Sequence, residues 1–328
     1  MTNLVQFPGL GLSFELDRVA FSIGGMNIYW YGVCIAVGMC LALVFAFRHS
    51  VEFGVDADAM VDVILIGVVM GILCARLYYV ALSPYQYHSL KDVLAIRDGG
   101  LAIYGGLIGA LLVGILIARH HKLCIPALLD VVGVGFLLGQ GIGRWGNFFN
   151  VEAFGSNTTL PWGMTSPDIV SYLTYKQNAL AAIGVTVDPN TPVHPCFLYE
   201  SIWCLIGFLL LALYLKHRKF DGEVFLMYLA FYGAERSVVE GLRTDSLMIG
   251  SLRVSQLLAA VLVIVSVVAI LVIRSKIKGN HDENYRKLFV LTEAGQAIAN
   301  GGRKNADKTA AVASAEISKS ESAEQDEP

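Results

Sequence analysis

The chain has 328 residues, 55% of them hydrophobic and only 16% charged, with a formal net charge of −3 and a mean hydropathy of +0.59. Soluble domains carry roughly 25% charged residues, so this composition excludes an ordinary soluble globular protein. The net charge itself says little, because the acidic end of the chain contributes much of it, and no nucleic-acid partner is expected.

Residues 1–26 lack the basic start of a cleavable signal peptide and contain Glu15, Asp17 and Arg18. With Pro8, Gly9, Gly11 and the Gly24-Gly25 pair, this stretch is expected to lie along the outer surface as an extracytoplasmic N-terminal segment. Apolar runs of about 20 residues, long enough to cross a hydrocarbon core, then follow at 27–47, 60–82, 100–118, 127–143, 197–215, 223–240 and 253–273. The expected fold is therefore all-α: a polytopic membrane protein of about seven transmembrane helices whose body occupies 27–277. The fourth run is the most diluted, by glycines and Asp130. Arg48, Arg119, Lys122, Lys216, Arg218, Lys219, Arg274, Lys276 and Lys278 all fall on one side of this arrangement, which the positive-inside rule makes cytoplasmic. An insertion at 156–193, with Pro161, Gly163, Pro167, Pro189 and Pro192 among Trp162, Met164 and Ile169, reads as a small extracytoplasmic cap. Residues 301–328, rich in Ala, Ser, Lys and Glu, read as a disordered cytoplasmic tail. Six cysteines without a CxxC pair read as small buried hydrophobes, so neither a disulfide nor a metal is expected.

Polar groups are costly inside a bilayer, so each demands a partner or a ligand. Tyr31, and Arg76 with Tyr79, place polar groups inside the bundle, although a tyrosine near the interface can serve only as an aromatic anchor. Diglycines flank Tyr104 at 99–106, allowing a substrate or a helix to approach the backbone closely. The stretch 143–155 gathers Arg144, Asn147, Asn150 and Glu152 where an apolar run ends. Arginine and amide donors there suit an anion, and at a bilayer face the commonest anion is a lipid phosphate; a helix-ending polar cluster is the plainer alternative. His194 and Glu200 open the fifth run, and Glu200 calls for a buried arginine. Arg236, Glu240 and Arg243 share one helical face, continued by Tyr232. They form either an internal ion pair or, since two arginines outnumber one glutamate, a site for an external anion.

Taken together these segments resemble the prolipoprotein diacylglyceryl transferase family of bacterial inner membranes. Its pattern G-R-x-G-N-F-x-N-x-E-x-x-G is matched at every fixed position by 143–155, and HPxxLYE by 194–200. GG-x-x-x-[HY]-GG matches 99–106, and YG-x-x-R-x-x-x-E-x-x-R matches 232–243. The resemblance implies a multi-pass enzyme that moves the diacylglyceryl group of phosphatidylglycerol onto the lipobox cysteine of a preprolipoprotein, releasing glycerol phosphate. It needs no cofactor. Arg144 and Arg236 would stabilise the departing phosphate, with Asn147, Glu152 and Glu240 positioning them and Asn150, Tyr31, Arg76, Tyr232, His194, Glu200 and Arg243 contributing to substrate binding. Many members carry His where this chain has Tyr104, a poor base near neutrality, so the resemblance puts Tyr104 in the site without giving it a role. A lipid-binding transporter without chemistry is the alternative; the chain shows no internal repeat, which counts against it.

Overall fold

The computed structural model describes residues 2–301 apart from 84, 86, 88, 97, 98, 183, 245–247, 250, 251 and 283. Asp98, at the head of the diglycine segment, and nearly all of the expected tail lie outside the described residues. The chain begins with two antiparallel hairpins, β1 (Thr2–Phe7) with β2 (Leu12–Asp17) and β3 (Val19–Ile23) with β4 (Met26–Tyr29). Helices α1 (Trp30–Ser50), α2 (Ala57–Leu82), the short α3 (Leu90–Val93), α4 (Ile103–His120), α5 (Ile125–Asn150), α6 (Pro167–Ala182), α7 (Cys196–Tyr214) and α8 (Glu223–Leu242) follow. A two-residue pair, β5 (Met248–Ile249) and β6 (Leu252–Arg253), precedes α9 (Val254–Gly279). Each of the seven apolar runs contains a helix.

Most helix ends shift by a few residues from the sequence expectation, and two of the shifts bear on the site. The first helix starts at Trp30 rather than at 27, because Met26–Tyr29 pairs with β3 and its backbone donors and acceptors are committed to a strand. The fourth runs on past 143 to Asn150, carrying the whole arginine–amide motif on helical backbone. Among the described residues six helices are long and apolar enough to cross a membrane: α1 with its following turn, α2, α4, α5, α7 and α9. Helix α8 is not one of them, as Glu223, Glu235, Arg236 and Glu240 dilute it. Its 20 residues still span about 30 Å, the thickness of a hydrocarbon core. Cys196 and Cys204 are buried, whereas Cys40 is exposed and the other three are half-buried. The expectation that the cysteines are interior thus holds for two. Of the rest, Cys34 and Cys40 lie on α1, Cys74 packs at the seam of α2 with α4 against Gly109, and Cys124 sits in the connection before α5.

The fold divides into two compact units, 1–45 with 132–285 and 46–131 with 286–328. In the second, α2 packs along α4, with Gly105 and Gly109 of α4 against Tyr78 and Cys74 of α2. In the first, α8 packs between α7 and α9, and α1 meets α5 where Gly38 abuts Gly139. Beyond the end of α5 a separate small core gathers Val5, Phe7 and Leu16 of the first hairpin, Phe148, Val151 and Phe154, Ile169 and Leu173 of α6, and Phe197 of α7. Main-chain bonds between Gln6 and Thr165, both 2.8 Å, lock the hairpin to the insertion, and Arg18 adds a 2.7 Å ion pair to Asp168 at the head of α6.

Candidate active site

Three helices of the first unit converge on one buried carboxylate. Glu200, one turn into α7, has a side chain only 2% exposed and takes Arg144 Nε of α5 on one oxygen and Arg236 Nη1 of α8, at 3.3 Å, on the other. Arg236 Nη2 lies 2.7 Å from Glu240, one turn further along α8. Glu200 therefore fixes the relative placement of the two arginines. It engages Arg144 through Nε alone: among the described residues neither terminal nitrogen of Arg144 has a hydrogen bond, and the side chain remains 22% exposed. Arg236, 19% exposed, is likewise accessible.

Local packing holds α5 and α7 in register for this contact. Trp145 Nε1 donates to Ser201 Oγ at 3.2 Å, and Ser201 Oγ donates to the carbonyl of Gly141 at 2.8 Å. Phe148 stacks on Phe197 with ring centroids 4.8 Å apart. Gly146 accommodates Tyr31 of α1, whose ring would lie 2.7 Å from a Cβ at that position. Tyr31 is within electrostatic reach of both Arg144 and Glu152.

Where α5 ends, Asn147 and Asn150 donate to the same Glu152 oxygen at 3.0 and 3.2 Å. The turn needs left-handed backbone at two non-glycine residues, Val151 (φ 54°) and Ala153 (φ 56°), a local cost of order 1–3 kcal/mol each that the surrounding packing must sustain. Gly155 then pairs with Arg243, donates to the His194 carbonyl at 2.9 Å, and is followed by Ser156 donating to the Leu242 carbonyl at 2.7 Å. The glycine that closes the motif is thus the junction at which the exits of α5 and α8 and the approach to α7 meet. A Cβ there would lie 2.8 Å from His194 Cβ and 3.1 Å from the Leu242 carbonyl oxygen.

A cavity of about 1030 Å³ opens beside this turn, lined by Arg18, Tyr31, Asn150, Glu152, Asp168 and Tyr172 among others. His194 belongs to another network: its Nδ1 lies 3.1 Å from the Tyr199 hydroxyl, which accepts from Trp162 Nε1 at 2.8 Å. Burial pushes the His194 imidazole below its ordinary value. Arg243 follows the last turn of α8, and Arg253 Nη1 caps that helix by donating to the Arg243 carbonyl at 2.9 Å and to the Glu240 carbonyl. Tyr232 lies within electrostatic reach of Arg144 and Arg236.

The structure thus brings together Arg144, Glu200, Arg236, Glu240 and Tyr232, and gathers Asn147, Asn150 and Glu152 around the turn. Arg76 and Tyr104 belong to the second unit. The guanidinium of Arg76 is taken up by main-chain carbonyls of Asp92, Val93, Gly99 and Gly100 at 2.7–3.2 Å, which shape the loop before α4. Tyr104 is half exposed. One buried group escaped the sequence reading: Glu235, 3% exposed, with neither oxygen hydrogen-bonded among the described residues. The available signal was its spacing from Tyr228 and Tyr232, i, i+4, i+7 along α8. Among the described residues no group of three or more His, Cys, Asp or Glu side chains is placed to hold a metal ion.

The sequence model of the family described as prolipoprotein diacylglyceryl transferase matches residues 18–272. The chain belongs to that family. It is 42% identical over 265 residues to the phosphatidylglycerol–prolipoprotein diacylglyceryl transferase of Clostridium novyi (strain NT), covering 80% of this chain and 97% of that protein. The protein of the same description from Bacillus cereus (strain G9842) is 42% identical over 279 residues, 84% of this chain and 98% of its own. That of Clostridioides difficile (strain 630) is 38% identical over 269 residues, covering 82% and 100%. Family membership makes this a multi-pass membrane transferase, and the matched residues contain the whole Arg144–Glu200–Arg236–Glu240 cluster.

Proposed function

We propose that this chain transfers the diacylglyceryl group of phosphatidylglycerol to the lipobox cysteine of a preprolipoprotein, with Arg144 and Arg236 holding the lipid phosphate. In this reading the cysteine sulfur attacks the glyceryl carbon that bears the phosphate. The new S–C bond forms as the C–O bond breaks, and glycerol phosphate departs as a phosphate monoester, with the thiol proton passing to that monoester or to water. The growing charge on the leaving phosphate is what the site must stabilise, and fixed cations in a water-poor setting do so best. The observation that carries this reading is the state of Arg144: anchored through Nε by Glu200, with its two terminal nitrogens unbonded among the described residues. That fork matches two phosphate oxygens. Glu240 and Glu200 orient the arginines, while Asn147 and Asn150 hold Glu152 at the neighbouring turn.

Tyr31, on the cavity wall, and Tyr232, near both arginines, are suited to line the headgroup region. Tyr104 occupies the family's His-or-Tyr position, and its part in the reaction is carried over from that match alone. The cationic loops support an orientation with the hairpins and α6 away from the cytoplasm. The deciding experiment reconstitutes the protein with phosphatidylglycerol labelled in its diacylglyceryl group and a lipobox peptide. Thioether-linked label on the peptide with stoichiometric glycerol phosphate supports the reading. Lipid binding or movement without product would instead favour a lipid carrier.

A further inference from the structure

The sequence sets Arg236 and Arg243 against Glu240, and the tertiary structure brings further charges of both signs to them. The charges within electrostatic reach of Glu235 are Glu200 on α7, Arg144 on α5, and Arg236 and Arg243 on α8 and just beyond it. With Glu240 paired to Arg236, three arginines face three carboxyl groups among the described residues. The fourth nearby cation, Arg253 at the head of α9, donates to main-chain carbonyls at the end of α8, where it offsets the negative end of that helix. The uncharged polar groups facing the same space are Tyr228 and Tyr232 of α8, Cys204 of α7, and Gln140 of α5, which donates to the Tyr228 hydroxyl at 3.2 Å. From α9, Gln256 is committed to the Ser237 carbonyl at 2.8 Å.

Among the described residues, with Arg253 set against the helix end it caps, the side chains of this cluster come close to balance. The phosphodiester of a lipid brings a further negative charge beside Glu235, and cleavage to a phosphate monoester adds to it; a buried carboxylate without a donor is then the group that a proton neutralises most readily. The three carboxyl groups differ in how firmly they are held. Glu200 is clamped by two arginines and Glu240 by one, whereas Glu235 is as buried as they are and has no hydrogen bond to either oxygen among the described residues. No donor commits it to the carboxylate form.

We infer that Glu235 is the proton buffer of the phosphate site: it takes up a proton when a phosphate anion settles against Arg144 and Arg236 and releases it when glycerol phosphate leaves. Glu235 is thus a positioning residue that acts through the charge of the cluster and does not touch the reacting atoms. The step is a proton exchange with water, Glu–COO⁻ plus H⁺ giving Glu–COOH, so no oxidant, reductant or co-reactant is involved. The inference rests on the proposed phosphate role of the two arginines.

The test uses the full chain in detergent micelles and glycerophosphoglycerol, the deacylated headgroup of phosphatidylglycerol, whose phosphodiester keeps one negative charge throughout the neutral range. Calorimetric titration in two buffers of different ionisation heat reads protons taken up per headgroup bound. The wild type should take up about one proton and its affinity should fall by up to about tenfold per pH unit on the alkaline side. Glu235→Gln, permanently neutral, should bind with no proton uptake and a flat pH dependence, while Glu235→Asp should restore both. An infrared difference spectrum of the wild type should show a protonated-carboxyl C=O band gained on binding. Wild-type proton uptake in Glu235→Gln, or no gained band in the wild type, overturns the inference. Headgroup binding indifferent to both Arg144→Lys and Arg236→Lys instead overturns the phosphate reading beneath it.

Discussion

Replacing Arg144 by lysine separates its two tasks. The arginine meets Glu200 through Nε and leaves two further nitrogens for the ligand; a lysine has one ammonium and must choose. Total charge is unchanged and Glu200 keeps Arg236 at 3.3 Å, so the fold should persist and the loss should appear in catalysis. Removing one charge-assisted hydrogen bond to the phosphate costs about 1.5–3 kcal/mol, which is roughly a ten- to hundredfold fall in turnover. If the lost contact strengthens as the phosphate departs, the fall appears in kcat rather than in KM. The assay is release of glycerol phosphate from phosphatidylglycerol vesicles containing the purified variant and a lipobox peptide, with melting in detergent as the folding control. A variant within twofold of wild type would show that the free fork of Arg144 does not hold the phosphate. A variant that melts far below wild type would show that the arginine is chiefly a strut for Glu200.

Gly155→Ala should lower stability by about 1–3 kcal/mol, because the new methyl meets His194, Cys196 and the Leu242 carbonyl at a junction of three segments; a melting temperature equal to wild type would show that the junction yields. His194 has an imidazole held below its ordinary value by burial, so folding is favoured above about pH 6.5 and that contribution is lost as pH falls through the lowered value. Acid melting curves should show this dependence reduced in His194→Gln, and identical curves would remove His194 as its source. Tyr104→Phe should slow transfer more than it weakens lipid binding, with the defect easing above the pKa of the thiol; a fully active variant with an unchanged pH profile would take the hydroxyl out of the mechanism. A reporter inserted at Asn178 should be active only outside the cytoplasm and one fused after Gly301 only inside, and the reverse at either point would invert the orientation.

The membrane helices were legible in the sequence because a run of about 20 apolar residues is a local property, and its length alone meets the bilayer. Helix α8 was legible for a different reason: Arg236, Glu240 and Arg243 share one face, and buried charge on a face implies a partner. Whose partner was not legible. Glu200 is far from both Arg144 and Arg236 in the chain, and only the packing of α5, α7 and α8 selects it over the other carboxylates. The N-terminal segment gave no hint of its hairpins, since Val5, Phe7 and Leu16 acquire an apolar face only from the end of α5 and from α6.

Glu235 shows the limit most directly. Helical spacing counted along one face put Arg236 and Glu240 together and left their neighbour aside, whereas three-dimensional packing buries it as deeply as Glu240. Composition and periodicity determined that this is a multi-pass membrane protein, and its motifs carried the resemblance to its family. The balance of charge in the site was decided by tertiary structure alone, because electrostatic compensation depends on distance through space, and sequence separation does not report it.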